Sequence, residues 1–355
     1  MDAILLVGGQ GTRLRPLTIS AAKPMLPAAG VPFVAHQLAR AKAAGIDHVV
    51  LATSYRAETF SDYFGDGSDL GLELEYVTEH VPLGTGGGLR NVADRLRSDH
   101  VVVFNGDILD GHDIAGQLKR HADADAAVTL YLTRVTDPRA FGCVVVDDRE
   151  RVVEFREKDP NPPTDLINAG CYVFRREVLS TAIPSGEVVS VERQTFPALL
   201  GSGALVQAFV EDAYWLDLGT PAAFVRGSCD LVLGTIGSPA LPGPTGPFLQ
   251  LPGAVVDPTA VLSAGTTVGA DAVVGPGARV EGSVLFDGAR VGPDAVVDRS
   301  VVGRGAVVGA GAVLVDVVIG DGARIGAGVE LRAGARVFPG AELADGAIRF
   351  SSDRS

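Results

Sequence analysis

Two textures of hydrophobic patterning divide the chain. Up to about residue 233, short apolar runs alternate with segments whose apolar residues recur at helical spacing. The runs Ala3–Val7, His48–Thr53, Leu72–Val77 and His100–Phe104 predict buried strands, and Pro32–Ala44, Ala57–Phe64 and Gly87–Leu96 predict the helices between them. Such alternation predicts an α/β domain, a mostly parallel sheet with helices on both faces. Ligands of such a sheet bind at the carboxyl ends of its strands. Those ends are Gly8 to Arg13, the 79–88 loop, and Asn105-Gly106-Asp107.

From Val256 onward the period changes. Val, Leu or Ile stands at 256, 262, 268, 274, 280, 285, 291, 297, 302, 308, 314, 319, 325, 331, 337 and 343. The step is six, shortened to five at 285, 302 and 319. A six-residue repeat predicts three short strands per coil of about 18 residues, the signature of a parallel β-helix. A helical reading fails because six matches neither 3.6 nor 7, and the segment is rich in Gly and β-branched residues. The 26 uncharged residues from Leu231 to Val256 are long enough to suggest a membrane span. Pro239, Pro242, Pro244, Pro247 and Pro252 make a spanning helix untenable, so the stretch predicts a linker. The expected domains are 1–235, a linker 236–253, and 254–355.

Composition adds exclusions. With 355 residues, 46 % hydrophobic and 21 % charged, the chain is globular with material for one to three domains. A formal charge of −13 argues against nucleic-acid or anionic-membrane partners, which need a basic surface. Cys143, Cys171 and Cys229 show no CxxC spacing, and the first strand begins at Ala3, so reduced thiols in a cytoplasmic protein are expected.

The candidate chemistry starts at Gly8, Gly9 and Gly11, which follow the first strand and precede Thr12 and Arg13. Glycines let backbone N–H groups wrap phosphate oxygens, and Arg13 and Lys23 add two cations. The turn lacks the GK[ST] ending of a triphosphatase loop and the third glycine and distant acid of a dinucleotide fingerprint. An ordinary strand-to-loop turn with solvated basic residues is the competing reading. Asp107 ends the strand VVVF within NGD, and Asp217 lies in YWLDLGTP. Carboxylates at such positions suit Mg²⁺, though Asp after Gly is also a common turn former. Glu79 opens EHVPLGTGGG. The stretch reads either as a flexible turn leading to the helix near Leu89 or as a clamp on a base; as a clamp, its carboxylate would suit guanine, which presents two donors on its Watson–Crick edge, better than thymine or uracil, which presents one donor beside acceptors.

The longer pattern GGQGTRLRPLT with Lys23-Pro24 resembles the signature of sugar-nucleotide pyrophosphorylases. NGD, Phe141-Gly142, Glu157-Lys158, Asn168-Ala169-Gly170, Ser190-Val191-Glu192-Arg193 before Phe196-Pro197, and WLDLGTP then follow in that family's order. The resemblance implies a Rossmann-like nucleotidyltransferase domain, and the hexads resemble left-handed β-helix domains. Arg13 and Lys23 would act on the triphosphate, and Asp107 and Asp217 would hold Mg²⁺. Leu6, Gly8, Gly9, Gly11, Thr12, Glu79, Pro82, Gly84, Thr85, Asn105 and Gly106 would line the nucleotide. Gly142, Glu157, Lys158, Asn168, Gly170 and Arg193 would face the sugar phosphate. Asp159 stands where the family usually has proline, which puts the geometry of that loop in doubt.

Within the family the chain is most similar to the GDP-mannose-forming branch, implying GTP and mannose 1-phosphate as substrates. Another sugar or cyclitol phosphate, thymidylyl or uridylyl transfer to glucose 1-phosphate, or a non-catalytic NDP-sugar-binding paralogue remain open. Acyl transfer by the β-helix is disfavoured because His121 is the last histidine. A structural, oligomerising role is expected for it instead, since β-helix ends are unpaired.

Overall fold

In the computed structural model, residues 1–79 and 81–349 are described; His80 of the 79–88 loop and residues 350–355 lie outside them. The chain folds as two compact units. One joins Met1–Gly9 to Gln37–Trp215; the other joins Gln10–His36 to the chain from Leu216 on.

The first unit is built on one twisted sheet. Asp2–Leu6 lies parallel between His48–Thr53 and His100–Asn105, and Glu73–Thr78 extends the parallel row beyond His48–Thr53. Ala3 sits opposite both Val49 and Val102, and all three are buried. This is why these runs are apolar throughout rather than alternating. On the far side of His100–Asn105 the sheet turns antiparallel. Leu166–Arg175 pairs with it and with Val128–Arg134 and Gly142–Val146, and Val152–Glu157 closes that edge. Tyr172, Phe174 and Phe196 stack behind this half in edge and offset contacts.

One boundary needs correction. The helix expected over 87–96 begins at Gly84 and runs to Val92, so half of the glycine-rich loop is helical. Propensity argues against that, but packing overrides it. Gly86 and Gly87 are buried and donate to the Val189 carbonyl at 2.8 and 3.3 Å. A Cβ on Gly87 would lie 2.6 Å from the Glu187 carbonyl oxygen. These glycines serve close approach, not mobility.

The second unit contains the left-handed β-helix. Among the described residues its strands form three parallel sheets, two of six strands and one of five, which successive strands enter in rotation. The hexad positions stack as expected: Val268 on Leu285, Val302, Ile319 and Val337 in one column, Val280 on Val297, Leu314 and Leu331 in another. The first strand of the stack is Phe248–Gln250, paired with Thr266–Val268, inside the stretch expected as linker. The five-residue steps also have a physical cause. At those corners buried Ser283 and Ser300 form a ladder with Thr266: Ser283 N–H donates to Thr266 Oγ1, Ser300 N–H to Ser283 Oγ, and Val317 N–H to Ser300 Oγ at 3.0 Å. The hydroxyls take amides that the shortened corner turns inward.

Ser300→Ala is therefore expected to destabilise the coil stack by about 1–3 kcal/mol, the cost of leaving a buried donor unsatisfied. Denaturant unfolding checks this, and a midpoint equal to wild type would show that the ladder carries no load. All three cysteines are free and buried. Among the described residues no helix is long and apolar enough to cross a membrane.

Candidate active site

In the second unit the glycine turn closes on itself. Gly11 has φ +59 and its carbonyl accepts from Thr18 Oγ1 at 2.9 Å. A Cβ on Gly11 would lie 2.8 Å from Lys23 Cβ, so only glycine fits without displacement. Thr12–Leu14 forms a single 3₁₀ turn that lifts the Arg13 side chain into solvent, 63 % exposed. Lys23 opens a second such turn and is only 10 % exposed. Both cations face Asp217: Arg13 Nη2 is 3.7 Å and Lys23 Nζ 3.9 Å from its carboxylate. Gly219 completes the cradle, because a Cβ there would sit 2.3 Å from Arg13 Nη2 and 2.8 Å from Asp217 Oδ1. Arg13, Lys23 and Asp217, far apart in sequence, thus share one site.

The first unit carries the other expected residues. A Cβ on Gly8 would lie 2.8 Å from Ser54 Oγ, and Gly9 is exposed. Gly106 N–H donates to the Leu6 carbonyl at 2.9 Å, and a Cβ on Gly106 would lie 2.5 Å from that oxygen. The NGD turn is thereby pressed against the end of the first strand, with Asp107 half-buried at its tip. Sequence reasoning missed the brace behind it. Buried Gln37 donates from Nε2 to the carbonyls of Asn105 at 2.8 Å and Ile108 at 3.1 Å, on either side of Asp107.

Glu79 Oε2 accepts the Leu83 N–H at 3.1 Å, and Oε1 lies 2.8 Å from where a Cβ on Gly88 would be. Burial pushes this carboxyl above its ordinary value, and the Leu83 amide offsets part of the rise. Pro82 and Gly84 are exposed beside it. Thr85 Oγ1 donates to Glu192 Oε2 at 2.8 Å and accepts from Val191 N–H at 2.9 Å. Glu192, quoted in the sequence motif but given no role there, anchors the glycine helix to the SVER stretch. Arg193, one position on, is exposed, and the structure does not bring its side chain to the other candidates.

On the sugar-phosphate side, Gly142 and Glu157 are opposite each other in an antiparallel pair, and a Cβ on Gly142 would lie 2.9 Å from Glu157 Oε2. Lys158 Nζ is 3.4 Å from Glu157 Oε1. Its backbone is left-handed, φ +54, a conformation that costs a non-glycine residue of order 1 kcal/mol or more and clusters at functional sites. Asp159, the departure from the family pattern, accepts from Asn161 N–H at 2.8 Å and from Arg156 at 3.1 Å and so closes that turn itself. Asn168-Ala169-Gly170 is a β-bulge, where the pairing register with Val128–Arg134 shifts. Gly170 has φ +82, Asn168 Nδ2 donates to Tyr172 Oη at 2.8 Å, and Trp215 Nε1 donates to the Ala169 carbonyl at 2.9 Å. Bulges of this kind re-aim side chains beside binding sites.

Asp107 in the first unit and Asp217 in the second each offer hard carboxylate oxygens, a donor chemistry that suits a divalent ion. Among the described residues, the tight cluster of potential ligands is elsewhere: His48, Glu73 and Glu75. His48 and Glu73 begin their strands, at the amino end of the sheet. Glu73 is bound by two Arg97 nitrogens at 2.6 Å each, and Arg97 and Arg95 lie 3.4 and 3.7 Å from Glu75. Those acids are already neutralised by arginine, which makes the cluster an ion-pair network.

A parallel sheet with glycine turns at its carboxyl ends in one unit, and a cationic cradle around an aspartate in the other, are the parts of a nucleotidyl-transfer enzyme, and the chain belongs to the nucleotidyl transferase family, whose model matches residues 2–232. The family transfers a nucleotidyl group from a nucleoside triphosphate to a sugar 1-phosphate and generally uses a divalent metal. Residues 245–349 match the GMPPB C-terminal domain. The chain is 61 % identical over 354 residues to a mannose-1-phosphate guanylyltransferase of Mycobacterium tuberculosis, covering 99 % of this chain and 98 % of that protein. It is 33 % identical over 291 residues to mannose-1-phosphate guanylyltransferase 1 of Arabidopsis thaliana, covering 80 % and 79 %. Among solved structures it is similar to HddC from Yersinia pseudotuberculosis complexed with GMP-PN, at 25 % identity and TM-score 0.55, over 64 % of this chain and 97 % of that one.

Proposed function

We propose that the enzyme joins GTP and mannose 1-phosphate to give GDP-mannose and diphosphate. The reading is supported above all by the 61 % identity, across 99 % of the chain, to a protein named for that activity. Carboxylate Glu79, placed at the glycine helix, fits the donors of guanine. Asp107 and Asp217 are the proposed ligands of Mg²⁺, which when bound supplies positive charge to the triphosphate oxygens.

An oxygen of the sugar phosphate attacks the α-phosphorus in line and diphosphate leaves opposite. Such a reaction needs positioning and charge neutralisation rather than a protein nucleophile. Arg13, exposed, holds the departing β- and γ-phosphates. Lys23, held stiffly by the turn at Gly11, neutralises charge developing at the α-phosphate. Lys158 orients the attacking phosphate, while Glu157 and Asn168 hold the sugar hydroxyls.

Diphosphate release measured for four nucleoside triphosphates against mannose, glucose and cyclitol 1-phosphates tests the assignment. GTP with mannose 1-phosphate is expected to exceed every other pair by at least tenfold in kcat/KM. A different leading pair would replace the substrate assignment, and no release from any pair would remove the catalytic reading.

A further inference from the structure

Resting on the reading of Arg13 as a triphosphate ligand, we infer that Arg336 of the β-helix is a positioning residue that sets Arg13, making the β-helix a working part of the active site. Arg336 begins the short strand Arg336–Val337. Val337 is buried in the coil stack and Arg336, by alternation, points outward. Its Nη1 donates to two main-chain carbonyls of the signature turn, Arg13 at 2.9 Å and Arg15 at 2.7 Å. One coil earlier, Asp321 Oδ2 accepts from Ser20 Oγ at 2.6 Å, in the same segment. Asp321 is itself fixed, since its Oδ1 accepts the Arg304 N–H at 2.8 Å.

The contact falls where the turn is least able to hold itself. The 3₁₀ turn Thr12–Leu14 spends two carbonyls internally, Gly11 to the Leu14 amide and Thr12 to the Arg15 amide. The carbonyls of residues 13 and 15 lie past these bonds, where a short helix leaves acceptors without internal partners. A guanidinium suits that end by hydrogen bonding and by charge. Fixing the Arg13 carbonyl fixes the peptide plane from which its long, 63 % exposed side chain departs toward Asp217. The guanidinium stands at the end of a long side chain, so a small rotation of the plane moves it by about an ångström relative to Asp217. Displacements of that size cost up to about 10² in rate.

The test uses full-length protein and whichever substrate pair wild type turns over fastest. Arg336→Met keeps the aliphatic stem and removes the donors; it is expected to lower kcat/KM for the triphosphate by roughly 10- to 10²-fold, with KM for the sugar phosphate changed less than about twofold. Arg336→Lys, with donors but no fork, is expected to recover part of the loss. If Arg336 acts through Arg13, adding Arg336→Met to Arg13→Ala changes the rate by less than about twofold, because coupled sites are not additive. Wild-type rates in Arg336→Met, or losses that multiply in the double variant, would overturn the inference. Thermal melts of each variant separate a merely structural role: a loss of activity that tracks a loss of folded protein, unrescued by lysine, also overturns it. A wild type that releases no diphosphate from any pair refutes the catalytic reading and the inference together.

Discussion

Lys23→Ala is expected to lower kcat by about 10² to 10³ while the protein stays folded, the range found when one preorganised charge is removed from a transition state. The size of the effect follows from where the ammonium is held. Lys23 is 10 % exposed, opens its own 3₁₀ turn, and packs its stem against the turn at Gly11. Its charge is therefore delivered without reorganisation and partly out of water, where it acts more strongly than in solvent. Arg13, at 63 % exposure, cannot substitute, because its charge is screened by solvent. Lys23→Arg should not restore the rate, since a planar guanidinium fork places its charge and donors differently from a compact ammonium. The fold should survive because Asp217 keeps Arg13 at 3.7 Å as an ion-pair partner. Steady-state diphosphate release, alongside far-UV circular dichroism, decides it; turnover within tenfold of wild type would remove Lys23 from the chemistry.

Why part of this site could be read directly, and part could not, comes down to periodicity and contact distance. The sheet strands and the β-helix columns are dictated by one-dimensional patterns: apolar runs of five or six, and a step of six. The spacing at 285, 302 and 319 even announced the shortened corners. It did not announce their cause, a hydroxyl ladder whose members, Thr266, Ser283 and Ser300, recur every 17 residues beneath the aliphatic signal. The roles that escaped notice are played across long sequence separations by hydrogen bonds. Gln37 braces carbonyls 68 and 71 residues away, and Glu192 reaches Thr85 across 107. Nothing in a periodic pattern marks a buried glutamine as a brace. The helix start at Gly84 was missed for a related reason, because glycine's low helical propensity was overridden by the nearness of the Val189 backbone.

Behind the NGD turn lies the arrangement with the largest expected effect on stability. Gln37 and Arg40 are three apart on the helix Phe33–Ala43 and so share a face. Arg40 Nη1 pairs with Asp110, at the end of the strand that leaves Asp107, and Arg40 Nη2 donates to the His112 carbonyl at 3.0 Å. His112 Nδ1 shares a hydrogen bond with Asp110 at 2.8 Å, and its Nε2 with Gln117 at 3.0 Å. Asp110 is 3 % exposed. Burial alone pushes its carboxyl up, but the His112 hydrogen bond and the Arg40 charge outweigh that and hold it below the ordinary 3.8.

Asp110→Ala leaves the Arg40 guanidinium, its side chain only 15 % exposed, without its counter-charge, and breaking such a largely buried pair typically costs about 3–5 kcal/mol. In a chain of this size that is a fall of roughly 10 °C in the melting temperature. The pH dependence has a definite sign. A carboxyl whose folded pKa is depressed contributes stability above its unfolded pKa and loses it as pH falls through the folded value. The stability gap between wild type and Asp110→Ala should thus be constant at neutral pH and narrow only below about pH 4. A gap that closes between pH 6 and 8 would mean that histidine titration, not the Asp110 carboxylate, holds the turn. Because Gln37 and Arg40 brace the same backbone from one helix face, the variant should also lose turnover at temperatures where it is fully folded. That residual loss ties the buried network to the placement of Asp107.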